Sequence, residues 1–485
     1  MDLIFLRAIV VFMKYLAAVL LSLISFLAFA QNGYEIKVTL KPYKNQYIYL
    51  GHYYGKQLPI IDSALLNEKS EAVFKGDKKL GGGIYLIGYP DRAHNFEIVI
   101  DKNQKFSVIA DTSKIQSVSF QNSPENVEFK GYQQFMMKNG LLIDSLTKKR
   151  SKVSAADSIN INSQIQAVND KVKVYRNEII SKNGESLLAV LLKAMKEPEV
   201  PQNDPAAKTD SMFAYRYYKK HYWDGVNFYD DRLARTPFFE SRIDKYMEQL
   251  VYPSADSVIK ELDYMLGYAS INEEMQKFLL LKFVNRYLNQ KYMWEDKVFV
   301  HLFEKYFSQK NYPWLTEAGK KTITNRAYSL MANILGTEAF DIELPDTTGK
   351  TTKLYSLQAL YTLVVIWDPM CSHCKELIPR LDSAYNAKWK SIGLKFFGLA
   401  RETDGKKSDW LSFINNNHLN EWTHVYYSKE ADVARTSAGI PSYSQLYDVQ
   451  TFPTLYLLDK DKRIIAKKLT LEQIDEILAY RQNNK

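Results

Sequence analysis

Cysteine is nearly absent from this sequence: its 485 residues include two, Cys371 and Cys374, and together they make a single C-x-x-C. A framework of disulfide staples is thereby excluded. Glycine and proline are sparse, with 20 and 15 residues, which rules out collagen-like repeats and low-complexity disorder. A charged fraction of 25% argues against multi-span membrane architecture. Lys and Arg outnumber Asp and Glu by 64 to 55, but the bases alternate with acids and never form the dense stripe of a nucleic-acid binder. What is present is 46% hydrophobic and 13% aromatic, the profile of an ordinary globular protein. At roughly 150 residues per domain the length corresponds to about three domains.

The N-terminus points to export. Leu16 to Leu27 form an apolar run preceded by Lys14 and followed by Ala28-Phe29-Ala30, the small-x-small pattern of a cleavage site. Residues 1–30 therefore read as a signal peptide cleaved before Gln31, which places the protein in the periplasm or cell envelope. Met1 and Met13 both fit as the start, because Met13-Lys14 opens a complete signal peptide by itself. The competing reading is an uncleaved anchor over Ala8 to Ala30, which is long enough to span a bilayer. Lys14 inside that span and the cleavage pattern favour removal. No cysteine follows the apolar run, so lipidation at that point is excluded.

Three textures follow, and they predict a multidomain chain. Over 31–130 the period is two, as in Tyr34-Glu35-Ile36-Lys37-Val38-Thr39-Leu40, which predicts an N-terminal antiparallel β domain of sandwich type. His52 and His94 stand alone there, without ligand or acid/base spacing. Over 131–336 the period becomes helical and predicts a central all-α domain, interrupted by the proline-rich loop Lys196 to Pro205. The tract Tyr215 to Trp223 interleaves bases with aromatics, and packing under Lys stems explains it better than nucleic-acid or sugar binding. Over 337–485 continuous apolar strands such as Tyr361 to Trp367 alternate with helices, which predicts a C-terminal α/β domain with a sheet covered on both faces.

The C-x-x-C lies where a buried strand passes into a helix. Unpaired N–H groups at a helix N-terminus stabilise an anion, so Cys371 is expected to form its thiolate readily. His373, when protonated, adds a second favourable charge within a turn. Cys374, one turn in and more buried, suits the resolving thiol that attacks a mixed disulfide. A structural staple and a metal site are the alternatives. A loop this short contributes only about 2 kcal/mol as a staple. For a metal, two thiolates and His373 leave the fourth ligand unnamed. No metal and no other cofactor is expected.

Trp367-Asp368-Pro369-Met370-Cys371-Ser372-His373-Cys374, the helix residue Pro379, and Tyr447 to Thr454 with Phe452-Pro453 carry a resemblance. Residues 339–485 resemble the thioredoxin superfamily, in particular the exported TlpA/ResA-like thiol-disulfide oxidoreductases. The resemblance implies that Pro453 is cis and lies against the cysteines. It also implies that Trp367, Phe452 and Pro453 border the substrate, with the Phe452 backbone pairing with the substrate chain. The whole chain further resembles exported Bacteroidetes-type proteins that place a β domain and a helical domain of unknown function before this one. Two departures stand out. The family's buried strand acid is Val365 here, and its helix Glu is Leu377. Glu376 and Asp368 are the remaining candidates for the proton acceptor, although Glu376 points about 100° away from the position of Leu377 on a helix.

These readings converge on an exported thiol-disulfide oxidoreductase acting on protein disulfides. The resemblance implies a reductase, whereas His373 favours the reduced pair and pulls toward oxidase or isomerase chemistry. A membrane-linked electron donor is expected, because the chain has no other thiol. The rival is an envelope binding protein that uses the thioredoxin fold as a scaffold. A peroxidase fits less well, since Pro-x-x-x-Thr-x-x-Cys is absent. Nucleic acid is not an expected partner, and the oligomeric state is open.

Overall fold

Strict alternation of buried and exposed side chains builds the first strands. In β1 (Tyr34–Lys41), Ile36, Val38 and Leu40 are buried while Lys37 and Lys41 face water, as a two-residue period requires. The computed structural model describes residues 33–113 and 118–483. The expected signal peptide over 1–30 and its cleavage point lie outside the described residues. The chain divides into two compact units, one of residues up to Val251 with Tyr264–Leu279, the other of Tyr252–Asp263 with Leu280–Lys485.

The first unit contains two four-stranded sheets. One has the order β4 (Glu71–Gly76), β1, β7 (Lys105–Asp111), β8 (Val118–Gln121). The other has the order β3 (Ile60–Leu65), β2 (Tyr47–His52), β5 (Gly83–Gly88), β6 (Asn95–Ile100). Ile36 and Val38 of the first sheet and Ile48, Leu50, Ile87 and Ile98 of the second share one core, so this is the expected sandwich. Its pairing is antiparallel except between β1 and β7, which run parallel. Alternation reports only which face a residue takes, so the parallel pair left no mark in the sequence. Gly81 and Gly83 admit Arg235 against the sheet, where an added Cβ at either would come within 2.3 Å of that side chain.

Among the described residues the first helix of this unit begins at Pro124, earlier than the expected border at residue 130. Helix α1 (Pro124–Arg150) is capped by Ser123 and α2 (Ala155–Lys182) by Ser154, each side chain accepting an N–H of the first turn. The tract Tyr215 to Trp223 lies mostly on α3 (Phe213–His221). Beyond that helix Tyr222 is fully buried beneath the Arg242 guanidinium, 4.4 Å above its ring. His94 pairs with Asp91 at 2.8 Å, and His52 holds the Tyr53 carbonyl at 2.7 Å.

In the second unit, α4 (Glu317–Met331), capped by Thr316, precedes a hairpin of β9 (Glu343–Pro345) and β10 (Thr351–Lys353) and then a five-stranded sheet. The sheet order is β13 (Thr423–Tyr427), β12 (Leu394–Arg401), β11 (Tyr361–Trp367), β14 (Thr454–Leu458), β15 (Ile464–Lys467). The first three strands are parallel, and β14 is antiparallel to both β11 and β15. All of β11 is buried, and its side chains split by parity between two cores. Leu363, Val365 and Trp367 join Ile378, Leu381 and Trp410 on one face. Val364 and Ile366 join Leu446, Tyr447 and Tyr456 on the other. That division is why β11 reads as an unbroken apolar run. Strand β13 and the helix Lys429–Ser437 after it carry weaker signals and went unpredicted. Among the described residues no helix is long and apolar enough to cross a membrane.

Candidate functional site

Strand β11 delivers the chain to a tight turn. Asp368 follows its last residue, accepting the Met370 N–H on Oδ1 at 2.8 Å and the Cys371 N–H on its backbone carbonyl at 3.1 Å. Cys371 is the N-cap of α5 (Ser372–Ala384), with extended backbone angles, and its carbonyl accepts the Lys375 N–H at 3.1 Å. The helical period then turns Cys374 inward, where it is fully buried in the core with Trp367, Ile378 and Leu381. Cys371 stays half-buried, and both cysteines are free thiols, 3.3 Å apart. Burial pushes the Cys374 thiol well above its ordinary value. A thiol held this way resists ionising until a base or an approaching disulfide draws on it.

Phe452 arrives from the opposite side of the site. The Phe452–Pro453 peptide is cis, and the Phe452 carbonyl accepts the Cys371 Sγ–H at 3.7 Å. The structure thus joins Cys371, Cys374, Asp368, Phe452 and Pro453 beyond the C-terminal end of β11, the central strand of the sheet. Asp368 is buried, at 5% exposure. Its Oδ2 accepts the Thr403 hydroxyl; on the Cys374 thiol, which burial raises most, its backbone hydrogen bond acts to lower the pKa, while its charge, after the proximity of Cys371, acts to raise it. Asp368 thus caps the turn and lies beside the buried sulfur at once.

Trp367 is placed differently from its expected border on the substrate, while Glu376 and His373 stand where the helix period puts them. Trp367 is fully buried against Phe413, ring centroids 5.1 Å apart, so its side chain packs the core and offers no surface to a substrate. Glu376 faces solvent without a hydrogen bond or ion pair among the described residues, as its offset along the helix implied. His373 is also exposed and makes no side-chain hydrogen bond or ion pair among the described residues, so it can act on the sulfur only through space. Thr403 went unnoticed, because a lone threonine 35 residues from its partner carries no local signal. Among the described residues no cluster of three or more His, Cys, Asp and Glu could hold a metal ion.

Residues 360–464 match a family described as thioredoxin-like. Residues 149–333 and 34–129 match two families described as domains of unknown function, DUF5106 and DUF4369. Among solved structures, a domain of a possible thiol-disulfide isomerase from Cytophaga hutchinsonii is 31% identical over 31% of this chain and 94% of its own, with a TM-score of 0.27. A thioredoxin-like protein from Bacteroides caccae is 23% identical over 59% of this chain and 98% of its own, with a TM-score of 0.41. A thiol:disulfide interchange protein from a Bacteroides species is 27% identical over 30% and 90%, with a TM-score of 0.26. No curated protein matches.

Proposed function

The chain belongs, through its C-terminal domain, to the thioredoxin-like family, and from that membership we propose that it is an exported thiol-disulfide oxidoreductase working on protein disulfides in the cell envelope. The observation that carries the reading is the half-exposed Cys371 at a helix N-cap, with Sγ 3.7 Å from the Phe452 carbonyl and a buried thiol next to it.

The chemistry follows from the positions. The Cys371 thiolate attacks one sulfur of a substrate disulfide, forming a mixed disulfide and expelling the other substrate sulfur as a thiolate that takes a proton. Cys374 then loses its proton and attacks Cys371 Sγ. The second substrate thiolate leaves, and the Cys371–Cys374 disulfide remains. Two electrons pass to the substrate in each cycle. We assign Asp368 as the acceptor of the Cys374 proton, since among the described residues it is the carboxylate buried beside that sulfur. His373 is assigned a through-space influence on the balance between the reduced and oxidised pair. The chain contains no third cysteine, so an outside dithiol must reduce the pair, and a membrane-linked donor is the natural source for an exported protein. Reduction is the favoured direction.

Turnover of insulin disulfides by the purified protein, with dithiothreitol as the reductant, tests the assignment. Catalysis that disappears in Cys371→Ser supports it. No turnover by the parent protein would favour a binding protein built on the same fold. Mass analysis of the N-terminus from the native envelope tests export, with Gln31 as the expected first residue.

A further inference from the structure

Asp448 opens the loop that ends at the Phe452–Pro453 peptide. Its carboxylate is almost fully covered, at 2% exposure. It accepts Arg326 Nη1, Lys468 Nζ at 2.6 Å and Gln450 Nε2 at 2.9 Å. Arg326 stands on α4, ahead of the sheet, and is held from behind by the Leu288 carbonyl at 3.1 Å on Nε and by the Gln290 side-chain oxygen on Nη2. Every guanidinium nitrogen is therefore engaged, and the planar fork can point at Asp448 in only one way. Desolvation would raise the Asp448 carboxyl, but Lys468, Arg326 and Gln450 outweigh it and hold the group below its ordinary value.

The loop itself has few bonds. The Val449 N–H donates to Ser444 at 2.8 Å, but among the described residues the N–H groups of Gln450, Thr451 and Phe452 have no acceptor. The Thr454 hydroxyl on the Thr451 carbonyl, at 2.6 Å, ties the far end to β14. A segment bonded so sparsely opens easily unless both ends are pinned. Asp448 pins the near end, and Arg326, 122 residues away in sequence, holds Asp448.

We propose that Arg326 is a positioning residue for the thiol-disulfide site: through the Asp448 carboxylate it fixes the loop whose Phe452 carbonyl faces Cys371, so that a helical segment outside the sheet sets how well a substrate chain is held beside the reactive sulfur. The proposal rests on the oxidoreductase reading and assigns part of that machinery to a region that otherwise has no role.

The test compares the full-length parent with Arg326→Gln, Arg326→Lys and Asp448→Asn in insulin reduction. Cys371 alkylation by iodoacetamide and hydrogen exchange of the 449–453 segment are measured alongside. Loss of one charge-assisted bond should raise KM about tenfold in Arg326→Gln and leave kcat within about twofold. Cys371 alkylation should stay within about twofold, because a small reagent needs no loop, while the Gln450 to Phe452 amides exchange faster. Arg326→Lys should recover part of the KM, and Asp448→Asn should reproduce the effect. An unchanged KM and unchanged exchange in Arg326→Gln, with an active parent, overturn the proposal. So does an equal fall in kcat and thermal stability in Arg326→Gln and Arg326→Lys, which would mark a purely structural contact. An inactive parent instead removes the oxidoreductase reading, and the exchange data alone then decide whether Arg326 fixes the loop.

Discussion

Timed alkylation of the reduced protein distinguishes the two sulfurs quantitatively. Cys371 is half-buried at the helix N-cap, and iodoacetamide can approach it without any change in the fold. Cys374 has no exposed surface and is packed among Trp367, Ile378 and Leu381, so the reagent reaches it only when the first turn of α5 opens. Local openings of a packed element lie between fraying and global unfolding, and about 4 kcal/mol is a reasonable middle value. That corresponds to an open fraction of roughly one in a thousand. The raised Cys374 pKa adds no further factor, because the burial that raises it is relieved in the open form. Partial cover of Cys371 offsets up to about a factor of ten, on the order of what half-burial removes from a reactive thiol. Cys371 should therefore label about 100 to 1,000 times faster than Cys374 at pH 7. Peptide mass spectrometry across a time course measures both rates in one sample. Rates within tenfold of each other, or faster labelling of Cys374, would refute the assignment of Cys371 as nucleophile. In Cys371→Ser the remaining thiol should stay as slow as it is in the parent.

Asp368→Asn should slow resolution of a mixed disulfide by about 10- to 100-fold at pH 7, as loss of a general base does. Because burial holds the Cys374 thiol up, the variant's resolution rate should climb by about tenfold per pH unit through neutral pH; a pH profile parallel to the parent's would leave Asp368 with its turn-capping role alone. Replacing His373 with Pro should make the pair more reducing by some tens of millivolts, at about 30 mV per 1.4 kcal/mol. Equilibration with glutathione reads the potential, and a shift under about 10 mV would leave the exposed imidazole without influence. His424 is buried, with Nε2 at 2.8 Å from the Leu419 carbonyl, and burial lowers its pKa from 6.5 to about 4. The unfolded chain takes up a proton between those values that the folded one refuses, so stability falls as pH drops through that window, by about 3 kcal/mol in all. Urea unfolding at several pH values should show that loss in the parent and a flatter profile in His424→Asn.

How far the sequence alone could reach shows in particular elements. The helix register of Cys371 and Cys374 was legible, because one turn separates a capping position from an inward one and the residues around them name the buried face. The unbroken run of β11 announced a strand covered on both sides, and the two-residue period of β1 assigned its core face before any partner was known. Local periodicity records which way a side chain points but not which distant segment meets it. Only the tertiary structure decided that β1 runs parallel to β7, that Trp367 closes under Phe413, and that the Phe452 carbonyl, 81 residues on, lies against Cys371. The same is true of Asp368. Its place after a strand was visible in the sequence, while its burial and its bond from Thr403 came from β12 and the loop beyond it. Arg326 is the extreme case. Within α4 it is an ordinary helical arginine, and its engagement with Asp448 exists because folding closes a 122-residue separation around a carboxylate that water cannot reach.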